Sequence, residues 1–150
     1  LFREYRAFSV LTKEKGEPNM FKVDKTDYSI ILTRGDRVFL RVKAKRHGKQ
    51  YTFVKGDIVR ITVSERKNVS NVVLKKDVLV KNDTDAVKII LEEHETRIGE
   101  EISKPRVYWY EIELNPDTNP CTIIGYDDNG PKTFTLYPEM SKSKNNEGGN

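Results

Sequence analysis

Two short clusters of polar side chains are the first candidates for chemistry in this chain. Glu92-Glu93-His94-Glu95 sets three carboxylates around one imidazole, the groups that hydrolytic and metal sites use. The cluster lacks the His-Glu-x-x-His spacing of a zinc protease, so we interpret it as an exposed acidic loop. Asp127-Asp128-Asn129-Gly130 offers oxygen ligands suited to calcium, but the distal glutamate of a calcium loop is missing. Because Asn-Gly favours a tight turn, we interpret this cluster as the turn of a β-hairpin.

The single cysteine and the histidines add little to these candidates. Cys121 alternates with Ile123, which predicts a packed strand position, and no neighbouring residue in the sequence would activate its thiol. One cysteine excludes an intrachain disulfide, and two histidines leave few ligands for a structural zinc. We therefore predict that the protein is not an enzyme, with no catalytic residue, no metal and no cofactor.

A third motif, Arg34-Gly35-Asp36, matches the tripeptide that integrin ligands present on an exposed turn. A glycine turn between two strands produces the same three letters. We interpret the motif as such a turn.

Charge is spread unevenly over the 150 residues, whose formal net charge is +4. Residues 34–49 hold seven cations against one aspartate, whereas residues 92–113 hold seven glutamates against three cations. Separate basic and acidic regions suit a subunit that assembles with others, although solvated strand faces give the same pattern. No apolar run reaches the roughly 18 residues of a membrane helix, so we predict no membrane span. No secretory signal is visible at the N-terminus.

Apolar residues recur at every second position in several segments, which is the spacing of strands with one buried face. The clearest segments are residues 28–33, 37–45, 58–65, 71–80, 86–91 and 107–114. Glycine, proline and asparagine residues separate them, and residues 92–102 have room for a helical turn. The pattern predicts an all-β fold, an antiparallel β-sandwich of about seven to nine short strands. We place the sandwich at residues 20–140, after an N-terminal arm or extra strand at 1–19 and before a flexible tail at 141–150.

The same alternation divides two strands into an inner and an outer face. The outer face of residues 37–45 alternates cations with one aromatic side chain, and that of residues 109–113 carries a tryptophan and two glutamates. These outer-face residues and two apolar residues of the segment 1–19, which we call the leader, are the predicted protein-interaction residues: Arg37, Phe39, Arg41, Lys43, Lys45, Trp109, Glu111, Glu113, Phe8 and Val10. The two charged rows could pair across strands, within one subunit or between subunits. A single aromatic side chain provides too few stacking positions for successive bases, so we predict no nucleic-acid partner.

The three aromatic residues at 108–110 have two possible uses. Strand parity places Tyr108 and Tyr110 in the core, with a hydroxyl bonded to the backbone as in a tyrosine corner. Trp109 then lies on the outer face, where it is covered by the leader or serves as an anchor for a partner or a sugar ring.

An ordered set of motifs resembles a phage tail family. The motifs are Leu32-Thr33-Arg34-Gly35-Asp36, the strand at residues 38–44, Gly56-Asp57 before residues 58–63, Tyr108-Trp109-Tyr110-Glu111-Ile112-Glu113-Leu114, and the closing residues 122–136. Together they resemble the immunoglobulin-like β-sandwich of phage and prophage tail proteins, similar to the N-terminal domain of baseplate upper proteins of Gram-positive phages. Two departures are that such proteins usually continue beyond the sandwich, and that residues 92–106 are long and acidic.

The resemblance implies an immunoglobulin-like fold and a structural role in a virion. The chain would be made in the bacterial cytoplasm and built into a phage tail, a baseplate or a tail-like bacteriocin. Its partners would be other tail or baseplate proteins, and it would form homo-oligomers within the larger assembly. The alternative is a carbohydrate- or cell-surface-binding sandwich that uses Trp109 and nearby tyrosines as sugar platforms.

Overall fold

A computed structural model describes residues 10–13, 21–46, 49–67 and 70–139 of the chain. These residues form twelve strands and one short helix: β1 (Val10–Lys13), β2 (Lys22–Val23), β3 (Ile30–Thr33), β4 (Val38–Lys43), β5 (Lys45–Arg46), β6 (Lys49–Gln50), β7 (Ile58–Ser64), β8 (Val72–Leu79), β9 (Val87–Leu91), α1 (Glu93–Thr96), β10 (Arg106–Leu114), β11 (Cys121–Ile124) and β12 (Lys132–Tyr137). The two-residue strands β2, β5 and β6 account for the excess over the predicted number. Among the described residues, no helical segment has both the length and the apolar character needed to cross a bilayer.

Two sheets pack face to face around one core, which confirms the predicted all-β sandwich. The large sheet has the strand order β2-β3-β12-β10-β7-β8, and β11 also pairs with β10. The small sheet has the order β1-β4-β9, and β5 and β6 form a separate ribbon. One described pairing departs from the predicted antiparallel arrangement, since β3 runs parallel to β12. The long connection that a parallel pair requires is available here, because most of the sandwich lies between these two strands in the sequence.

Alternation along strands such as β4 and β10 builds much of the core. In β4, the side chains of Val38, Leu40 and Val42 have no solvent exposure. The inward residues of β10 are buried as the sequence predicts, namely Tyr108, Tyr110, Ile112 and Leu114. Each such side chain contributes about 1.5–3 kcal/mol when it is taken out of water. The inner and outer faces of β4 and β10 are therefore firmly determined, since a slip of one residue would expose the whole apolar row.

The first described strand belongs to the small sheet. β1 pairs antiparallel with β4, and its Leu11 is only 1% exposed and lies in the core. The sandwich therefore includes a strand that precedes Met20, inside the segment for which the sequence predicts an arm or an extra strand. The rest of that segment, like the predicted tail at 141–150, lies outside the described residues.

The last two strands do not form the predicted hairpin. β11 pairs with residues 112–114 of β10 and β12 pairs with residues 106–110 of the same strand. Because β7 occupies the other edge of β10, β11 and β12 follow one another along a single edge. The Asn129-Gly130 turn instead closes a small excursion, in which Asp127 bridges Gly130. The turn itself was predicted correctly, but β11 and β12 each pair with β10 and not with each other.

Candidate interaction surface

The predicted residues of the basic segment follow the outer face of β4 in the small sheet and continue onto β5. Phe39, Arg41 and Lys43 alternate along β4 with the buried valines and leucine, Arg37 precedes them, and Lys45 follows on β5. We call Arg37, Phe39, Arg41, Lys43 and Lys45 the basic row. Arg37, Phe39, Arg41 and Lys43 thus lie in or directly before β4, whereas Lys45 lies on the separate ribbon; Arg37, Arg41 and Lys45 are exposed, and Phe39 and Lys43 are half-buried.

One end of the basic row is balanced by internal contacts. The Arg37 Nε lies 2.6 Å from the Glu92 Oε1, and the Arg37 guanidinium carbon lies 4.5 Å from the centre of the Phe39 ring. The Lys88 Nζ lies 5.1 Å from the same ring centre. Phe39 therefore serves as a platform for two cations, an arrangement that is attractive by itself.

The middle of the basic row carries charge that is not balanced. Within the described part of the chain, neither Arg41 nor Lys43 has an ion-pair partner. Arg41 also lies directly opposite Lys88 of β9 in the sheet register. Like charges directly opposite each other destabilise a sheet, so this surface is arranged at some cost to the fold. Lys88 was missed by sequence analysis because the pairing of β9 with β4 cannot be read from either strand separately.

The predicted acidic residues lie on the outer surface of the large sheet. We call Trp109, Glu111 and Glu113 of β10 the acidic row, and all three are half-buried. Glu113 lies opposite Arg60 of β7, but the Arg60 guanidinium already binds two other carboxylates. Its Nε lies 2.6 Å from Asp77 and its Nη2 lies 2.9 Å from Asp117.

Glu111 is a partly desolvated carboxylate of the acidic row. Burial raises the pKa of Glu111 above its usual value, and the neighbouring Glu113 raises this pKa further. The chain passes close by at Gly125, where a β-carbon would lie 3.8 Å from the Glu111 Cβ. Among the described residues, neither glutamate has an ion-pair partner. The acidic row thus contains two neighbouring carboxylates that repel each other. A cationic partner would offset this repulsion.

The basic row and the acidic row cannot pair within one subunit. Of the two predicted pairings, the one within a subunit is therefore wrong. β4 belongs to the small sheet and β10 to the large sheet, and the core lies between them. Both rows point outward, so they lie on opposite sides of the sandwich. Only pairing between subunits remains possible.

The remaining predicted contacts belong to the leader. Val10 is the first residue of β1 and lies in register with Lys43 of the basic row. Phe8 lies outside the described residues.

The tyrosines beside Trp109 belong to the core. Tyr108 and Tyr110 are 1% and 2% exposed, as strand parity predicts. The Tyr110 hydroxyl donates a hydrogen bond to the backbone carbonyl of Tyr28, so the expected bond to backbone is present. It ties β10 to the segment before β3, a more distant partner than that of a tyrosine corner. Neither ring is available to stack on a sugar.

The Arg34-Gly35-Asp36 motif forms a turn, as predicted, and its arginine is held inside the fold. The Arg34 side chain is 11% exposed and donates to the Gly99 carbonyl at 2.9 Å and to the Glu139 carboxylate at 3.2 Å. Gly35 has a φ of 89°, and a β-carbon there would lie 2.5 Å from Glu139. The motif therefore joins the β3–β4 turn to the end of the described chain and does not present its arginine to a receptor.

The acidic cluster around His94 coincides with α1, in the segment where a helical turn was expected. Burial raises the pKa of Glu95, but bonds from Lys76 and from the Glu92 N–H lower it more, so that its pKa falls below the usual value. The Lys76 Nζ lies 2.6 Å from the Glu95 Oε1, which explains a lysine on the inward side of β8. In the described part of the chain, no three His, Cys, Asp or Glu side chains are placed to hold a metal ion.

Comparisons with protein-family models, curated proteins and solved structures found no match for this chain.

Proposed function

We propose that this chain is a non-enzymatic structural subunit of a phage tail or baseplate, or of a related tail-like particle, and that it acts by protein–protein assembly. The observation that carries the proposal is the unbalanced charge of Arg41 and Lys43, beside the opposed Lys88, on an otherwise well-packed sandwich. A partner surface of opposite charge would be electrostatically complementary to these cations and would offset their repulsion. The kind of partner follows from the resemblance of the ordered motifs to a phage tail family, whose members assemble with other tail or baseplate proteins.

The strand arrangement supports the immunoglobulin-like part of this proposal. In that fold, strands A, B and E share one sheet and strands C, F and G share the other. In this chain β1, β4 and β9 form one sheet, while β7, β10 and β12 are neighbours in the second. The chain order of these six strands matches the alphabetical order of the immunoglobulin strands.

A protein partner fits the basic row better than a nucleic acid. The one aromatic of the row, Phe39, already carries Arg37 and Lys88 against its ring. Stacking of bases needs free aromatic faces that follow one another along a groove. Charge pairing with a flat acidic surface needs only the exposed cations, which the row provides. The partners are therefore other tail or baseplate proteins and further copies of the chain.

The sugar-binding alternative has weaker support. It requires Trp109 together with nearby tyrosines, and Tyr108 and Tyr110 lie in the core. Trp109 is half-buried, between the exposed Val107 and the acidic pair. A single half-covered ring offers little of the area on which a sugar platform depends.

The proposal is tested by looking for the chain in particles from the bacterium that encodes it. Tail-like particles or virions are induced, purified and examined by peptide mass spectrometry and by immunogold labelling with an antibody against the chain. We expect gold at one defined position along the tail, and no gold on particles from a strain with the gene deleted. Purified particles that lack the chain, together with robust binding of the isolated chain to a glycan array, would overturn the proposal in favour of the alternative.

A further inference from the structure

The outer faces of the two sheets carry matching sequences of side-chain types. On β4 the order is an aromatic, a cation and a cation, at Phe39, Arg41 and Lys43. On β10 the order is an aromatic, an anion and an anion, at Trp109, Glu111 and Glu113. In both strands these residues occupy alternate positions on the outward side.

The spacing of the two triplets is also the same. A strand rises roughly 3.3 Å per residue, so alternate side chains on either strand are about 7 Å apart. Sheets that pack face to face keep their strands within about 30° of parallel and lie about 10 Å apart. With the strands running in the same direction, such packing places Arg41 against Glu111, Lys43 against Glu113 and the two aromatic rings together.

We propose that copies of this chain stack head to tail, with the basic row of one copy packed on the acidic row of the next. The inference rests on the proposed function and deepens it, because it names a second copy of the chain as the partner of the basic row. The contact joins two different surfaces, so it is heterologous and continues into a ring or an open stack.

The electrostatics of both rows favour this partner. Arg41 faces Lys88 and Glu111 lies beside Glu113, so each row contains a repulsive pair in the isolated subunit. Stacking would set an anion of the next copy against Arg41 and against Lys43, and these opposite-charge contacts would offset the repulsion that persists within each row. It would also cover Val107, which is 44% exposed next to Trp109 on the same face.

The inference is tested by the self-association of the purified chain, measured by sedimentation velocity over a range of concentrations. Two charge-reversed variants are compared, R41E/K43E and E111K/E113K. The matched control K55E/K81E makes the same change in net charge as the first variant, at two exposed lysines that lie outside both rows. Circular dichroism checks that each variant is folded. If E111K/E113K does not fold, E111Q/E113Q replaces it in the measurement of self-association, and the mixture of variants is not used as a criterion.

We expect the wild type and the control to associate at low salt and to dissociate at about 1 M NaCl, where the Debye length is about 3 Å. Each charge-reversed variant should associate at least about tenfold more weakly, because one of its faces would meet a face of like charge. An equimolar mixture of the two variants should associate again, since every contact in an alternating stack is then complementary.

A wild type that stays monomeric at every concentration in low salt would overturn the inference. So would equal association of the wild type and both variants, or a mixture that does not recover. These outcomes concern only self-association. Gold labelling of induced particles would still support the proposed function, with another tail protein as the partner of the basic row.

Discussion

Arg41 of β4 and Lys88 of β9 lie directly opposite each other on the outer surface of the small sheet. Two cations in this position repel each other, although the core residues beneath them are buried. Lys88 also contacts Phe39, so single substitutions would mix the repulsion with the loss of a cation–π contact. The repulsion between Arg41 and Lys88 therefore lowers the stability of the fold at the basic row.

The repulsion is measurable by a double-mutant cycle with Arg41→Thr, Lys88→Thr and the double variant. We expect an unfavourable coupling of about 0.2–1 kcal/mol at low salt, because the cycle isolates the interaction between the two cations. The coupling should shrink in high salt as the charges are screened. Chemical denaturation gives the four free energies of unfolding. A favourable coupling at low salt would show that the two side chains do not oppose each other.

The inner and outer faces of β10 predict a clear ranking of two neighbouring substitutions. Leu114→Ala should lower the free energy of unfolding by about 2–5 kcal/mol, because the side chain is 4% exposed in the core. Glu113→Ala, the control on the outer face, should change it by no more than about 0.5 kcal/mol. The reverse ranking in denaturant midpoints would mean that the strand is shifted by one residue.

The buried Tyr110 should make the protein less stable in alkali. Burial raises the Tyr110 pKa well above its ordinary value, and Tyr28 and Asp27 raise it further. Above a pH of about 10 the unfolded chain loses the phenol proton while the folded chain keeps it, so the folded state binds more protons and stability falls as pH rises. Tyr110→Phe should reduce this slope, and should also cost about 1–3 kcal/mol at neutral pH because the hydrogen bond to the Tyr28 carbonyl is lost. Identical alkaline slopes for the two proteins in urea denaturation would contradict the assignment.

The two arginines of the β3–β4 turn should respond very differently to lysine. Arg34→Lys should cost about 1.5–3 kcal/mol, since one ammonium group cannot reach Glu139 and several backbone carbonyls together as the guanidinium does. Arg37→Lys is the matched control and should cost less than about 1 kcal/mol, because its pair with Glu92 is about half exposed. Thermal and denaturant unfolding of both variants gives the comparison. Equal losses would mean that Arg34 is not clamped.

Much of the sandwich could be predicted because its strands alternate so regularly. Period-two patterns gave the inward faces of β4 and β10, and with them the outward positions of both charged rows. What a pattern cannot supply is the partner of each strand. The Asn129-Gly130 turn predicted a hairpin, yet β11 and β12 both pair with β10, since pairing depends on distant segments that compete for the same edge.

Long-range contacts also explain the departures from alternation. Strict alternation would place Val72 on the same side as Leu74, but the register of β7 and β8 shifts between Val63 and Ser64, and Val72 is 50% exposed. Lys76 interrupts the apolar side of β8 because Glu95, a residue of α1, lies 2.6 Å away to receive it. The burial of Arg34 likewise depends on Glu139, at the far end of the described chain. These partners are fixed by the fold and leave no local signal in the sequence.

The most direct test of an assembly role for the basic row is the number of copies of the chain in purified particles. The chromosomal gene is replaced by R41E/K43E or by the control K55E/K81E, and the copies per particle are counted by quantitative mass spectrometry. We predict that R41E/K43E is expressed and folded but strongly depleted from particles, while the control is incorporated like the wild type. Equal numbers of copies for the wild type and R41E/K43E would contradict the claim that these cations dock the subunit.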